Sequence, residues 1–432
     1  MKTNTHRPQK TQRGGAMLIA VLIFSLTLGA ALGSYLVLVY DQNQLANRSE
    51  TWNGALAAAE AGVEDALAQL NSGINLIPIK TNFSDNGWGS LSLNDYGPLT
   101  RSLAGGSYTV SISTAMVSNL QEATITSQGS MTVPVTGGQI SRSVQVMARY
   151  FPLFNVALGA VSNINGGGTF PVSDSWNSHD TNNIEDNNGL YNGYSGTNGS
   201  IASEQGFVSI GNETVKGNLY LGPNATYNGS GDIYGTVYYD YNVDFPNATL
   251  PTPPLGWVPA PSTQDVHDFT VSGYYIVNDS EPIVIEPGVI ATLDIKTTSF
   301  SPTSITINGG MTNAGTIIMY QESGSATIGG NSTSGGTVNY RPENFYYYGL
   351  PGVNSVTLSG TSVYVGALYA PQAVLTLNGG GNANNLEGSA IVNSVKMNAH
   401  YDFHYDESLA WLGPMKGYVP VSWQELAGSA SP

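Results

Sequence analysis

The chain has 432 residues, a formal net charge of −16 and no cysteine, and only 10% of its residues are charged. Without thiols it has no disulfides, no thiolate-ligated zinc or iron–sulfur centre and no cysteine nucleophile. The acidic balance argues against nucleic acid and anionic lipid head groups as partners, and 52 glycines beside many Asn, Ser and Thr point to an ordered, turn-rich β protein of two or three domains.

A basic leader, residues 1–15, holds Lys2, Arg7, Lys10 and Arg13. Residues 16–40, AMLIAVLIFSLTLGAALGSYLVLVY, follow as an apolar run with no charge in it. At about 1.5 Å per residue a helix of this length crosses a hydrocarbon core of about 30 Å. It exceeds the apolar stretch of about 7–15 residues in a cleaved secretory signal. The run therefore reads as a transmembrane helix of a single-pass protein of the inner, or cytoplasmic, membrane. The positive-inside rule keeps its N-terminus in the cytoplasm and exports the rest to the periplasm or cell surface. Gly29 and Gly33 form a GxxxG spacing, which admits a second helix closely.

Residues 41–72 continue the helix in amphipathic form, with Leu45, Trp52, Leu56, Val63, Leu67 and Leu70 at helical spacing among alanines. Residues 73–150 read as a small antiparallel β module, with alternating strands at 107–113, 122–127 and 140–150. From 151 to 411 short apolar patches such as NLYLG, GTIIMY, SVTLSG and AVLTLNG recur between Gly- and Asn-rich turns. Such units cannot bury a face alone, so the reading is a parallel β-solenoid (a right-handed β-helix), with a β-sandwich as the alternative. Residues 250–262, LPTPPLGWVPAPS, form a proline-rich connector expected to cross the outside of the solenoid. Residues 412–432 read as a C-terminal tail.

The leader and helix, QRGGAMLIAVLIFSLTLGAALG followed by ALAAAEAGVEDAL, resemble PilX-type minor pilins of type IV pilus and type II secretion systems. The pieces DSWNS (174–178), GALYAPQAVLTLNG (366–379) and FHYDESL (403–409) resemble an exported β-helical domain of uncharacterised function found behind such an N-terminus. The resemblance implies prepilin leader cleavage between Gly15 and Ala16, and other pilin-like subunits as partners of the helix. Ala20 stands where the family usually carries a glutamate, which implies a tip or initiating subunit, or a simple membrane-anchored relative, rather than an ordinary filament subunit.

His400, Asp402, His404 and Asp406 alternate in HYDFHYDE, which on a strand puts all four on one face. Imidazoles and carboxylates together are a candidate set for a zinc-like metal; the bland alternative is a terminal rung with a solvated polar face. Asp174, Asp180, Glu185 and Asp186 lie in an oxygen-rich loop, a candidate for calcium or else a solvated turn. No GxSxG elbow occurs, and no catalytic residue or other cofactor is assigned. Tyr238-Tyr239 and Tyr346-Tyr347-Tyr348 could stack on sugars, or fill solenoid stacks. The expected function is a pilin-like surface protein, not an enzyme, which displays a solenoid for adhesion or binding, with surface glycans as candidate ligands. The alternatives are an exported carbohydrate-active β-helix enzyme and a membrane-anchored scaffold that polymerises through its solenoid ends.

Overall fold

A computed structural model describes residues 13–71, 86–89, 95–117, 120–166, 172–180, 191, 193, 195–211, 214–243, 245–310, 312–329, 341–360, 363–379, 385–398, 400–411 and 415–427. Leader residues 1–12 lie outside the described residues, as do Glu185 and Asp186. The chain divides into two compact units, of which the second is Tyr150–Gly417 apart from a short upstream piece.

The first unit is built on one helix, Arg13–Asn71, 59 residues long. Its large apolar residues from Met17 to Tyr40 are exposed, and by length and composition it can cross a membrane. Its C-terminal half packs on a five-stranded antiparallel sheet, through Ala55, Ala58, Ala59, Val63, Ala66 and Leu70. This differs from the sequence expectation at two of the large residues, since Leu45 and Trp52 are exposed. The reason is the closeness of the approach. A β-carbon at Gly129 would overlap the Ala55 carbonyl oxygen and the Ala59 nitrogen, so only the alanine stripe fits against the strand. Trp52 instead carries the Arg142 guanidinium 4.8 Å from its ring centroid.

The sheet runs Asp95–Leu103, Gly106–Val117, Leu120–Thr132, Gln139–Pro152 and Met415–Leu426, in that spatial order. The last of these corrects the C-terminal tail. Residues 415–426 form an edge strand, held by Arg142 to Glu425 (Nε–Oε1 2.6 Å) and by the Tyr418 N–H to Asn71 Oδ1 (2.6 Å). The second unit is thus an insertion in the chain between two strands of the first.

In the second unit the named strands pair in parallel, as a solenoid requires and a β-sandwich does not. One column of directly paired residues runs Val258, Tyr275, Leu293, Met319, Tyr347, Leu368, Ala390, Leu158, Ile201, Leu219, Val237. A second runs Phe300, Ala326, Val356, Leu375, Val395, Ile164, Val208, Tyr227. Apart from the end residues Val258 and Tyr227, which are exposed, both columns point into one apolar core. Inter-rung hydrogen bonds repeat with them: Ser200 Oγ accepts from the Asn218 N–H (3.0 Å), and Asn218 Oδ1 from the Thr236 N–H (2.9 Å), each 18 residues on.

The column order is not the chain order. Rungs 258–397 stack first, and rungs 158–238 continue the same stack beyond them, so the chain enters and leaves at the middle. The two far ends are joined by the proline-rich connector, which runs over the outside. Phe245, Ala248 and Leu250 pack on Tyr320, Tyr346, Tyr348 and Tyr369, and the Tyr369 hydroxyl donates to the Pro246 carbonyl (2.6 Å). Proline suits an extended strap that makes few ladder bonds, and the segment joins the ladder at Val258–Pro259, beside Tyr275–Ile276.

Candidate functional site

The strand Asp402–Asp406 sits between Asn385–Met397 and Val172–Trp176. The sequence alternation is realised: Phe403 and Tyr405 enter the core, and the acids and His404 face away from it. That outer face is not solvated over most of its length, because Tyr191, Ser195 and Gly199 cover it. In register across three rungs stand Glu387, His404 and Asp174, which are 6%, 4% and 2% exposed.

Asp174 is the centre of this row. Its Oδ1 lies 2.5 Å from His404 Nδ1, and its Oδ2 accepts from the Tyr191 hydroxyl (3.0 Å) and the Ser195 hydroxyl (2.5 Å). The Tyr191 ring stacks on His404 at 3.5 Å between centroids, and Lys216 Nζ donates to Ser195 Oγ (2.6 Å). Burial, then the neighbouring Asp174 charge, pushes the Tyr191 phenol well above its ordinary pKa, so it remains a donor. The row fastens the covering segment to the rungs. Within it Ser195 donates to the Asp174 carboxylate and accepts from Lys216, while His404 faces Asp174 and not Ser195.

Asp406 is fully buried. Its Oδ1 accepts from the Ser178 and Ser408 backbone N–H groups (3.0 Å each), and its Oδ2 from both serine hydroxyls (2.7 Å each). Burial raises its pKa, and the four hydrogen bonds oppose that rise. Asp402 is half-buried, with a pKa raised by burial against the pull of His404. His400 is exposed. His400, Asp402, His404 and Asp406 therefore do not act as one ligand set: His404 is spent on Asp174, and Asp406 on serines from two segments. A carboxylate with four donors at hand has no need of a metal. Of the calcium candidates, Asp174 belongs to the histidine row.

Sequence reading missed a compact group elsewhere. His267, Asp279 and Glu281 bring one ligand atom each within 4.8 Å of one another. Their spacing matches no metal motif; the only signal was a histidine in a chain that has five. Gly15 and Ala16 lie in the helix, and Gly29 and Gly33 have open space around them, as an unpartnered helix face would.

Residues 289–412 match a family described as a domain of unknown function (DUF7305), which covers rungs of the second unit and the strand 402–406. No curated protein matches the chain. A solved structure, the competence-associated pilin ComZ from Thermus thermophilus, is similar at 12% identity over 87% of this chain and 97% of that one, with a TM-score of 0.28. A likeness of that size carries no weight on fold or function. The class defined by the coordinates is therefore structural: a long apolar helix on a small antiparallel sheet, carrying an inserted parallel β-solenoid.

Proposed function

We propose that the chain is a pilin-like, single-pass surface component that displays its solenoid for binding. One observation carries this reading: a single helix is apolar and exposed over 17–40, yet closely packed on its own sheet over 51–70. A soluble protein has no use for the first half, whereas a helix that sits in the membrane and then packs with neighbouring subunits does. Insertion of the solenoid in the chain between two edge-proximal strands leaves helix and sheet intact. Glycans are the proposed ligands. Tyr227, Tyr234, Tyr238 and Tyr239 crowd the exposed last rungs, where rings are available for stacking.

A carbohydrate-active enzyme is the second reading, favoured by Glu387, His404 and Asp174 on adjacent rungs. Their burial under Tyr191 closes them to a polymer. The pilin reading is tested on the native, membrane-extracted protein by mass spectrometry of its N-terminus. The expected terminus is Ala16, with Gly15 at the end of the removed leader. An intact Met1, or a cut beyond Ala31, would refute prepilin processing.

A further inference from the structure

We propose that His267, Asp279 and Glu281 form a three-ligand site for a first-row divalent transition metal of the zinc class, at the point where the connector rejoins the solenoid. His267 opens the parallel strand His267–Phe269 and is 3% exposed. Asp279 and Glu281 lie in the turn before Ile283–Ile285, the strand that pairs with it. Their side chains are 48% and 25% exposed, which leaves a way in from solvent.

The protonation of the ring decides the chemistry. His267 Nδ1 lies 2.8 Å from the Pro261 carbonyl oxygen, an atom that only accepts, so Nδ1 carries the proton. Nε2 then offers a lone pair, and at 2.8 Å it faces Asp279 Oδ1, which also only accepts when ionised. A proton on the ring joins this pair as a hydrogen bond, and a metal ion in its place would draw on the Nε2 lone pair and the Asp279 carboxylate. Glu281 Oε2 lies 3.8 Å from the ring's other nitrogen, Nδ1, and with it the donor set within 4.8 Å is one imidazole and two carboxylates, which suits zinc and its neighbours better than calcium.

The surrounding hydrogen bonds are those of a ligand shell. A metal-binding histidine ordinarily donates its other N–H to a carbonyl or carboxylate, and here Pro261 accepts it. Ser262 Oγ donates to Glu281 Oε2 (2.6 Å), and the Glu281 N–H to Asp279 Oδ1 (3.1 Å). Both outer partners, Pro261 and Ser262, belong to the connector's end. They are turned back onto His267 by a tight turn in which Gln264 and Asp265 both have positive φ (56° and 57°), and Thr263 and Val266 exchange backbone hydrogen bonds. Two adjacent non-glycine residues in the left-handed region are held there only by a surrounding structure that needs them. The metal would staple the strap to the end rungs.

The test is titration of the chelator-treated full-length protein in detergent with Co(II), read by its visible absorption, and with Zn(II), read by calorimetry. Wild type should take up one equivalent, with a rise in the melting temperature of the solenoid. Glu281→Gln, which is partly exposed and should fold, is expected to weaken binding by about tenfold or more, and Ser262→Ala by about tenfold. His267→Gln should abolish it. Excess calcium should leave the cobalt spectrum unchanged. No uptake by wild type, equal uptake by wild type and Glu281→Gln, or displacement of cobalt by calcium would each overturn the assignment. The first of these would leave His267 and Asp279 as a hydrogen-bonded pair.

Discussion

Gly129→Ala should loosen the first unit by about 3 kcal/mol, at the upper end of what overpacking costs. The added methyl would meet the backbone of the helix at Ala55, Ala58 and Ala59, and backbone cannot rotate aside as a side chain can. The helix must therefore lift from the strand, uncovering Val63 and Leu70 as it goes. Gly54→Ala on the same helix is the control. Its nearest neighbours are the Met131 Cε and Cγ at 3.6 Å, an ordinary contact, and the helix interior gains about 1 kcal/mol by losing a glycine. Amide hydrogen exchange on the full chain reads both. Strand Leu120–Thr132 should exchange faster in Gly129→Ala, and no faster than wild type in Gly54→Ala, while the rungs of the second unit are unchanged. Unaltered exchange in Gly129→Ala would mean that the helix does not lie on this strand as described.

Asp406 separates the effect of shape from that of charge. Asp406→Ala strands two buried N–H groups, while the Ser178 and Ser408 hydroxyls keep each other at 3.1 Å; at about 1–3 kcal/mol for each group left unpaired, a loss of about 3–5 kcal/mol from the second unit is expected. Asp406→Asn keeps an oxygen for the Ser178 and Ser408 N–H groups and gives its amide to the serine oxygens, which can accept as well as donate. It should cost under about 1 kcal/mol. The pH dependence follows from the raised pKa. The folded state holds the Asp406 proton more tightly than the unfolded chain does, so this residue's contribution to stability declines as pH rises from the ordinary carboxylate value through the raised one. The asparagine variant has no such decline, and should gain on wild type as pH rises across that interval. Chemical denaturation at a series of pH values measures it. If Asp406→Asn proves as damaging as Asp406→Ala at neutral pH, the ionised charge itself is required and the hydrogen-bond account is wrong.

The sequence made the helix legible because composition and period agree over nearly sixty residues. The three inner strands of the small sheet were legible as well, since each alternates cleanly. The two strands that escaped are Asp95–Leu103 and Met415–Leu426. Both are edge strands and both contain proline, at Pro98 and Pro420, which demotes a segment read locally even though an edge tolerates it. The second also pairs with a strand far back in the chain, and no local pattern reports that. Within the solenoid the apolar patches were visible, yet their order was not. Leu158 sits beside Ala390, a pairing between residues far apart in the chain that no local pattern reports. In the strand Asp402–Asp406, which lies between two rungs and not at the end of the stack, the alternation of His404 and Asp406 with Phe403 and Tyr405 was read correctly from period two. What covers the polar face came from residues two hundred positions upstream, and it turned a candidate metal face into a buried hydrogen-bonded row. The group at His267 was invisible for the same reason, since a tight turn and a strand pairing, neither marked by composition, bring its members together.

The central claim is that a membrane-anchored helix carries an exported solenoid, and the absence of cysteine allows it to be tested directly. Leu255 in the connector is 98% exposed, so Leu255→Cys places a single thiol on the surface of the second unit without disturbing its core. A membrane-impermeant maleimide, applied to spheroplasts and again after lysis, reports which side of the membrane that thiol occupies. The account predicts labelling in intact spheroplasts equal to that after lysis, with the labelled protein in the membrane fraction. Labelling that appears only after lysis would place the solenoid in the cytoplasm and contradict it.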